Sequence, residues 1–322
     1  MSVTTEEWTG SGNALRRLAF GARVLVALLV IGAVGYAVAS QWSEVRAAIT
    51  SLAWSSVLLS AAAIFAGTVT SVLAWRTLLA EEGQPLSPLS AGRIFLVGQL
   101  GKYLPGSVWS IALQVELGRR AGVPRARAFT TSLVWVGLSL STALTVGLLG
   151  LPVLAAESSG RGWWLLAALP PALVASHPRV LTRLVNLVLR GVRRPPLPRP
   201  LTWRGVLSAA GWLGLTWTFF GLHLWLLANA LGAPGLGGFV RCLGGFALAM
   251  AAGVLFLLAP SGAGVREALL VAALSPVMSR GQALGVAVVS RMLFTAVDVA
   301  AAGLAALSGI RQVRVAAQPP SR

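Results

Sequence analysis

Acidic residues are scarce in this sequence, and charged residues of any kind are few. Of 322 residues only 9 are aspartate or glutamate, and all charged residues together make up 11% of the chain. Soluble domains carry about 25% charged residues, so a soluble globular protein is excluded. The acidic residues are also too few and too scattered for a paired-carboxylate or metal-phosphate active site, which argues against an enzyme.

Lysine and cysteine are nearly absent. The single cysteine, Cys242, permits no disulfide within the chain. The single lysine, Lys102, lies in the segment GQLGKYLPGSVW (98–109), where three glycines and one proline interrupt an apolar region. The sequence also lacks a Walker motif, a metal-ligand cluster and a Gly-x-Ser-x-Gly elbow. We therefore predict no catalytic residues, no metal and no cofactor.

Hydrophobic residues dominate what is present. They form 56% of the chain, and the mean hydropathy of +0.78 is that of an integral membrane protein. The net charge of +17 does not indicate nucleic-acid binding, because the arginines lie between apolar runs rather than on a folded basic surface. We interpret them as topology signals and as contacts to anionic lipid head groups.

Apolar runs of about 20 residues, the length that crosses the hydrocarbon core, recur along the chain. They predict an all-α polytopic membrane protein with about seven to eight transmembrane helices plus re-entrant or broken helices. The clear spans are predicted at about 20–40, 53–75, 128–153, 205–231, 239–259 and 282–307, with a shorter one at about 163–176. The first run is longer than most signal-peptide h-regions, so we expect an uncleaved first helix.

The distribution of arginine predicts the orientation. The loop 119–127 contains four arginines and the loop 177–204 contains seven, whereas the alternate loops carry almost no net charge. The positive-inside rule then places both termini in the cytoplasm. We predict a cytoplasmic N-terminal tail at 1–19, a transmembrane domain at 20–308 and a cytoplasmic C-terminal tail at 309–322, in the cell (plasma) membrane.

Two apolar segments are broken by glycine and proline. Segment 91–118 lies between two cytoplasmic loops, so it must enter and leave on one side, and we predict a re-entrant hairpin with Pro105 and Gly106 at its tip. Segment 260–278 is predicted to be a broken helix that restarts near Val265 after the sequence PSGAG. Irregular backbone at membrane depth is tolerated where it is buried in protein or lines a wet cavity.

Each broken segment carries a cation. Lys102 and Tyr103 precede the tip of the first, and Arg266 follows the second, where free N–H groups at the new helix start favour an anion. Glu267 is expected to pair with Arg266 or Lys102, or to act as a protonatable group. The alternative is that both segments are kinked helices whose glycines allow close packing.

Few other charges lie within predicted spans. Arg291 and Asp298 are seven residues apart on one face of the last span, and they favour equally a buried structural ion pair and a substrate role. We interpret His223 as a hydrogen-bonded helix contact rather than a proton relay. Glu116 precedes Arg120 by four residues, which predicts a local ion pair.

Residues 178–190 have the pattern of an amphipathic helix. Arginines and Asn186 recur on one face and valines and leucines fill the other, which predicts a cytoplasmic helix on the inner leaflet. The alternative is a basic loop that only enforces topology.

Four motifs together resemble the lysylphosphatidylglycerol synthase transmembrane region family, a group of flippase-like membrane proteins. The motifs are GQLGKYLPGSVW, LGRRAGVPRARAFTTSLV, LAPSGAGVREALL and SRMLFTAVDVAAAG, and the resemblance covers about residues 15–310. It implies a polytopic helical fold with two re-entrant elements and lipid translocation between leaflets. Larger members continue into a cytosolic domain that transfers an aminoacyl group from tRNA to phosphatidylglycerol, whereas this chain resembles the membrane part alone, without the synthase domain.

The resemblance also implies a set of site residues. We predict that a lipid head group is bound by Lys102, Tyr103, Pro105, Gly106, Ser261, Gly262, Gly264, Arg266, Glu267, Arg291 and Asp298. Two departures from the family pattern are visible. Ser261 stands where a glycine is usual, and the span after the RRAG sequence has Trp135, Ser139 and Ser141 where many members have a glutamate.

The favoured function is therefore a lipid flippase or translocator for an anionic or polyprenyl-phosphate-linked lipid. The alternative is a non-transporting membrane scaffold or accessory subunit for a cell-envelope glycosyltransferase or lipid-modifying enzyme, for which the basic inner face is the motivating feature. A transporter of small ions or solutes is a weaker third hypothesis, which a lipid-free transport assay separates from the first.

Overall fold

A computed structural model of the protein describes residue 39 and residues 42–104, 108–155, 163–197, 199–232, 235–256 and 262–316. Within these ranges the chain is helical, with no strand. In chain order the α-helices are α1 (Trp42–Ser51), α2 (Trp54–Glu81), α3 (Pro88–Gln99), α4 (Trp109–Arg120), α5 (Arg125–Leu149), α6 (Leu151–Ala155), α7 (Leu169–Ala175), α8 (Pro178–Gly191), α9 (Trp203–Asn229), α10 (Gly235–Leu255), α11 (Val265–Leu274) and α12 (Arg280–Ala316). Two 3-10 helices, Leu100–Tyr103 and Trp163–Ala168, precede α4 and α7.

Five of these helices are long and apolar enough to cross a membrane, namely α2, α5, α9, α10 and α12. They coincide with five of the predicted spans, so the all-helical membrane fold is confirmed. The predicted first span, 20–40, lies outside the described residues except for position 39. The total of seven to eight helices and the cytoplasmic placement of the termini stay predictions.

Segment 163–176 differs from the prediction of a single short span. It consists of a 3-10 helix, Trp163–Ala168, followed by the short helix α7, which has proline in its first turn. Pro170 and Pro171 lack the N–H that an uninterrupted helix needs, but a first turn tolerates them because its N–H groups have no helical partner. An α-helix can therefore start at Leu169 but cannot run through from Trp163.

Helix α8 confirms the helical pattern predicted for residues 178–190. Leu181, Val185 and Leu189 are buried against α5 and α9, while Leu184 and Leu187 on the same helix are exposed. Only part of the apolar face of α8 is thus buried against the rest of the protein, as expected for a helix that also contacts lipid. Its position on the inner leaflet stays a prediction.

Helices α3 and α4 lie side by side and run in opposite directions. Gly98 faces the backbone of Gln114, and Gly101 faces the backbone of Trp109 and Ser110. At the base, Arg127 of α5 donates a 2.7 Å hydrogen bond to the Glu82 carbonyl at the end of α2, so the chain enters and leaves this pair at one end. The described residues thus form a hairpin, whose re-entrant placement in a membrane stays a prediction.

Candidate functional site

The only lysine of the chain bonds its only aspartate. Lys102 Nζ lies 2.6 Å from Asp298 Oδ2, and the Tyr103 hydroxyl donates a 2.6 Å hydrogen bond to the same oxygen. Asp298 is 7% exposed, whereas Lys102 keeps 30% of its side chain accessible. The 3-10 turn before the tip of the first broken segment is therefore held against α12 by a charge-assisted contact.

The second broken segment is fastened to the same helix. Arg291 of α12 donates a 2.5 Å hydrogen bond to Glu267 Oε1, and the other oxygen of Glu267 accepts 2.6 Å from the Gly264 N–H at the start of α11. The expected pairing of Glu267 with Arg266 or Lys102 is wrong. A carboxylate in the first turn of a helix reaches back to the unpaired N–H groups, and there Arg291 is the neighbouring cation.

Arg291 and Asp298 do not pair with each other, although both lie on the face of α12 that the broken segments contact. Arg291 holds α11, and Asp298 holds the end of the first hairpin helix. Seven residues along a helix correspond to about 10 Å. Helix α12 therefore acts as a common support that keeps the two breaks about two helical turns apart.

Arg266 is buried without a carboxylate partner within salt-bridge distance among the described residues. It is 5% exposed, and its guanidinium carbon lies 4.9 Å from the ring centre of Phe246 and 4.8 Å from that of Phe294. Its Nε is buried with no hydrogen-bond partner. Cation–π contacts offset part of the free-energy cost of burying the charge. A buried cation is normally paired with an anion, and the described residues do not supply one to Arg266.

A chain of hydrogen bonds orients Arg266. The ring Nδ1 of His223 bonds the carbonyl of Phe220, which can only accept, so Nδ1 carries the hydrogen in the neutral ring. Nε2 then accepts from the Ser290 hydroxyl at 2.9 Å, and the Ser290 oxygen accepts from Arg266 Nη2 at 3.5 Å. The interpretation of His223 as a hydrogen-bonded contact between helices is confirmed.

Replacing Ser290 by alanine should lower the free energy of unfolding by about 1–3 kcal/mol, because it leaves the buried Nε2 of His223 without a donor. Unfolding of the purified protein in mixed micelles, followed by circular dichroism, measures the change. Ser60→Ala is the matched control. Ser60 is equally buried and donates to the His223 carbonyl, which a helix bond already satisfies, so less than about 1 kcal/mol is expected. Equal losses in both variants would contradict the orienting chain.

Both breaks open into one cavity of about 330 Å³. Lys102 and Asp298 line it from one side, and Gly262 and Arg266 from the other. Its remaining wall is mostly apolar and rich in aromatic rings, including Phe95, Trp217, Phe220, Phe256 and Phe294. The cavity thus combines two cations with a surface suited to hydrocarbon or to the apolar side of a head group.

The other predicted site residues have different outcomes. Gly264 and Gly262 adopt positive φ angles of 82° and 66°, which glycine allows without strain. Pro105, Gly106 and Ser261 lie outside the described residues. Sequence reasoning missed the roles of Phe246, Ser290 and Phe294, because apolar rings and a serine within long helices carry no local signal of a site.

Comparison with known families agrees with these features. The family model described as lysylphosphatidylglycerol synthase TM region matches residues 22–302, most of the chain. The chain belongs to this family. No match was found among curated proteins.

This member of the synthase TM region family has a neutral cavity wall at the position of its sequence departure. Trp135 and Ser139 of α5, which stand in the span where the resemblance predicts a glutamate, line the cavity, while Ser141 hydrogen-bonds Ser176 at 2.9 Å. Among the described residues, the α5 side chains that line the cavity carry no charge.

A second, apolar cavity of about 230 Å³ lies between α5, α7 and α8. Val136 and Leu140 line both cavities, so α5 forms a shared wall between them. The apolar cavity is thus a recess suited to hydrocarbon directly across α5 from the charged one.

The arginine-rich end of α4, outside the five spans, contains the local ion pair predicted for Glu116. Glu116 bonds Arg120 as expected, and also Arg119 at 2.7 Å. Hydrogen bonds from Arg119 and then Arg120 lower the pKa of the Glu116 carboxyl to about 2, so this carboxylate stays ionised at physiological pH. The cluster belongs to the protein surface rather than to the cavity.

Proposed function

We propose that this membrane protein moves an anionic lipid, or a lipid linked through a polyprenyl phosphate, between the leaflets of the cell (plasma) membrane. The observation that carries the proposal is Arg266, a buried cation with no carboxylate partner in the part of the chain that the structure describes, in the same cavity as Lys102. On this proposal the protein transports lipid and catalyses no reaction of its own.

The charges around the cavity match a single negative charge. Among the described residues, Lys102, Arg266 and Asp298 line the cavity, and the adjoining Arg291–Glu267 pair is neutral as a whole, which leaves one positive charge in excess. A phosphodiester head group carries one negative charge and would make the site neutral. Placing a charge at the centre of a bilayer costs about 3 kcal/mol on insertion scales, so neutralisation of this kind supports passage of the head group.

The apolar surroundings suit the rest of a lipid. The aromatic wall of the charged cavity and the neighbouring apolar cavity across α5 offer surfaces for hydrocarbon, while the chains of a lipid can remain in the bilayer. A small ion or hydrophilic solute would gain nothing from such walls, which favours a lipid over the third hypothesis.

Replacing Lys102 by alanine should slow translocation of a fluorescent anionic lipid in proteoliposomes about tenfold, because one charged hydrogen bond to the head group is worth about 1.5–3 kcal/mol. The measurement is the fraction of labelled phosphatidylglycerol that becomes accessible to an external quencher with time. Lys102→Arg keeps the charge and should retain most of the rate if the charge alone matters.

Arg120→Ala is the matched control, since Arg120 is an exposed cation in the surface cluster of Glu116. Its rate should equal that of the wild type. The assignment fails if Lys102→Ala also moves the labelled lipid at the wild-type rate.

A second candidate function is an accessory subunit or scaffold for a cell-envelope glycosyltransferase or lipid-modifying enzyme. Helix α8 favours it, because Leu184, Leu187 and Val188 are exposed beside the arginines of the same helix. Translocation by the purified protein alone would reject this role as the main one. A stoichiometric envelope enzyme recovered from detergent, together with no translocation by the purified protein, would favour it.

A further inference from the structure

One wall of the charged cavity is polar but uncharged. Gln99, Ser110, Gln114, Trp135 and Ser139, on α3, α4 and α5, all line the cavity. The charged groups that line it, Lys102, Arg266 and Asp298, come instead from the two breaks and from α12. The cavity therefore has a charged part and a neutral polar part.

Several hydrogen-bonding groups on the neutral wall have no partner among the described residues. The indole N–H of Trp135 is buried and unpaired. The hydroxyls of Ser110 and Ser139 make no hydrogen bond there, and Gln114 accepts 2.6 Å from Ser132 through Oε1 while its amide nitrogen has no partner. Buried donors are normally paired in folded proteins, so this wall has unused capacity for a ligand.

The types of these groups indicate the chemistry of that ligand. An indole N–H and an amide NH₂ only donate, whereas serine hydroxyls both donate and accept. Such a set matches ligand hydroxyls, which also do both. A primary ammonium only donates hydrogen bonds, so it cannot pair with the indole N–H or the amide NH₂. Among the described lining residues the one carboxylate, Asp298, already binds Lys102 and Tyr103.

The hairpin places the neutral wall within reach of the charged part. Gln114 packs against Gly98, four residues before Lys102, and Ser110 packs against Gly101. Four residues of helix span about 6 Å. A head group whose phosphate lies near Lys102 and Arg266 can therefore extend a ring or polyol of that length along the neutral wall.

We propose that the neutral wall binds the hydroxyl groups of a glycosyl or polyol phosphate ester, so that the cavity selects hydroxyl-rich anionic head groups over equally charged ones without hydroxyls. This inference rests on the proposed function in one respect, namely that the lipid bound in the cavity is also the lipid that is moved between leaflets. Selective binding can be measured independently of movement.

The test compares the affinity of the purified full-length protein for phosphatidylinositol and for phosphatidylmethanol with identical acyl chains. Both are phosphodiester monoanions, but only the first has a hydroxyl-rich head group. We expect phosphatidylinositol to bind about tenfold more tightly, as two or three neutral hydrogen bonds supply. Phosphatidylethanolamine, whose head group adds an amine, should bind more weakly than phosphatidylinositol.

Two variants localise the selectivity. Trp135→Phe removes the indole N–H and keeps an aromatic ring, and Ser139→Ala removes one hydroxyl, so each should lower the affinity ratio about threefold. Trp225→Phe is the matched control, because its indole N–H is likewise buried and unpaired but does not line the cavity. Its affinity ratio should equal that of the wild type.

The outcomes separate this inference from the proposed function. Equal affinity of the wild type for phosphatidylinositol and phosphatidylmethanol overturns the inference, and so does an unchanged ratio in both cavity variants. Translocation of the two lipids in proteoliposomes is measured in parallel. If the protein moves both lipids but binds them with equal affinity, the proposed function stands and the inference fails. If it binds phosphatidylinositol selectively but moves neither lipid, the inference stands and the proposed function fails.

Discussion

Replacing Arg266 by methionine should reduce the rate of anionic-lipid translocation about 10- to 100-fold. A charged hydrogen bond from a guanidinium to a phosphate is worth about 1.5–3 kcal/mol, and Arg266 is the cation of the cavity that no carboxylate already holds among the described residues. Methionine keeps a long apolar side chain between the Phe246 and Phe294 rings. Quencher accessibility of labelled phosphatidylglycerol in proteoliposomes measures the rate.

Stability should respond differently from transport in the same variant. Arg266 is buried and has no described carboxylate within salt-bridge distance. Its replacement therefore breaks no described ion pair, and it removes a charge that is shielded from water. We expect the free energy of unfolding of Arg266→Met to fall by less than about 1 kcal/mol. Loss of transport in a stable protein would therefore report on the site rather than on folding.

Arg119→Met is the control for Arg266→Met, since Arg119 is an exposed cation that binds Glu116 outside the cavity. Its translocation rate should match that of the wild type. Transport by Arg266→Met at the wild-type rate would show that Arg266 does not bind the translocated anion, whatever the effect of Lys102→Ala.

Replacing Gly101 by alanine should prevent correct folding or lower the free energy of unfolding by about 3 kcal/mol or more, a severe overpacking effect. A Cβ at this position would lie 2.5 Å from the Ser110 nitrogen and 2.6 Å from the Trp109 carbonyl carbon. Both are backbone atoms of the opposing helix α4, so no side-chain rotation can relieve the clash. The hairpin would have to open, which would displace Lys102.

Gly92→Ala is the matched control, because Gly92 lies in α3, the helix that leads directly into the 3-10 turn of Gly101, and an added Cβ would come no closer than 4.0 Å to its neighbours. Alanine has a higher helix propensity than glycine, so this variant should be neutral or more stable by about 0.5–1 kcal/mol. Fluorescence-detected size exclusion and unfolding in mixed micelles measure both variants. Equal stability of the two would contradict the close packing of α3 against α4.

The sequence predicted several local features of the site because they depend on local chemistry. Glycine and proline break a helix wherever they occur within it, so the break before Val265 was predictable from PSGAG, and α11 does begin there. Segment 163–176 is a short apolar helical segment as predicted, but it changes from a 3-10 helix to α7 just before Pro170 and Pro171, which is also a local effect. A hydropathy average over a window of residues does not detect such a break, although proline removes a backbone N–H that the helix would use.

The partners of the charged side chains were not predictable in the same way. Tyr103 and Asp298 are 195 residues apart in the chain, and the pairing of Glu267 with Arg291 was missed. Helical periodicity tells which residues share one face of a helix, but it does not tell which face of another helix lies opposite. Arg291 and Asp298 lie on one face of α12 as predicted, and each forms an ion pair with a different element, as the structural alternative for these two residues required.

The sequence by itself determined the class of the protein, its five long apolar helices, the two breaks and the cation near each, because hydropathy, proline, glycine and charge act over a few residues. Only the tertiary structure decided that the two breaks open into one cavity, that Arg266 lacks a carboxylate partner among the described residues, and that Trp135, whose indole N–H is unpaired there, lines the neutral wall. Among the described residues, these properties depend on how distant helices pack, and packing is fixed by the fit of many side chains at once rather than by any local pattern.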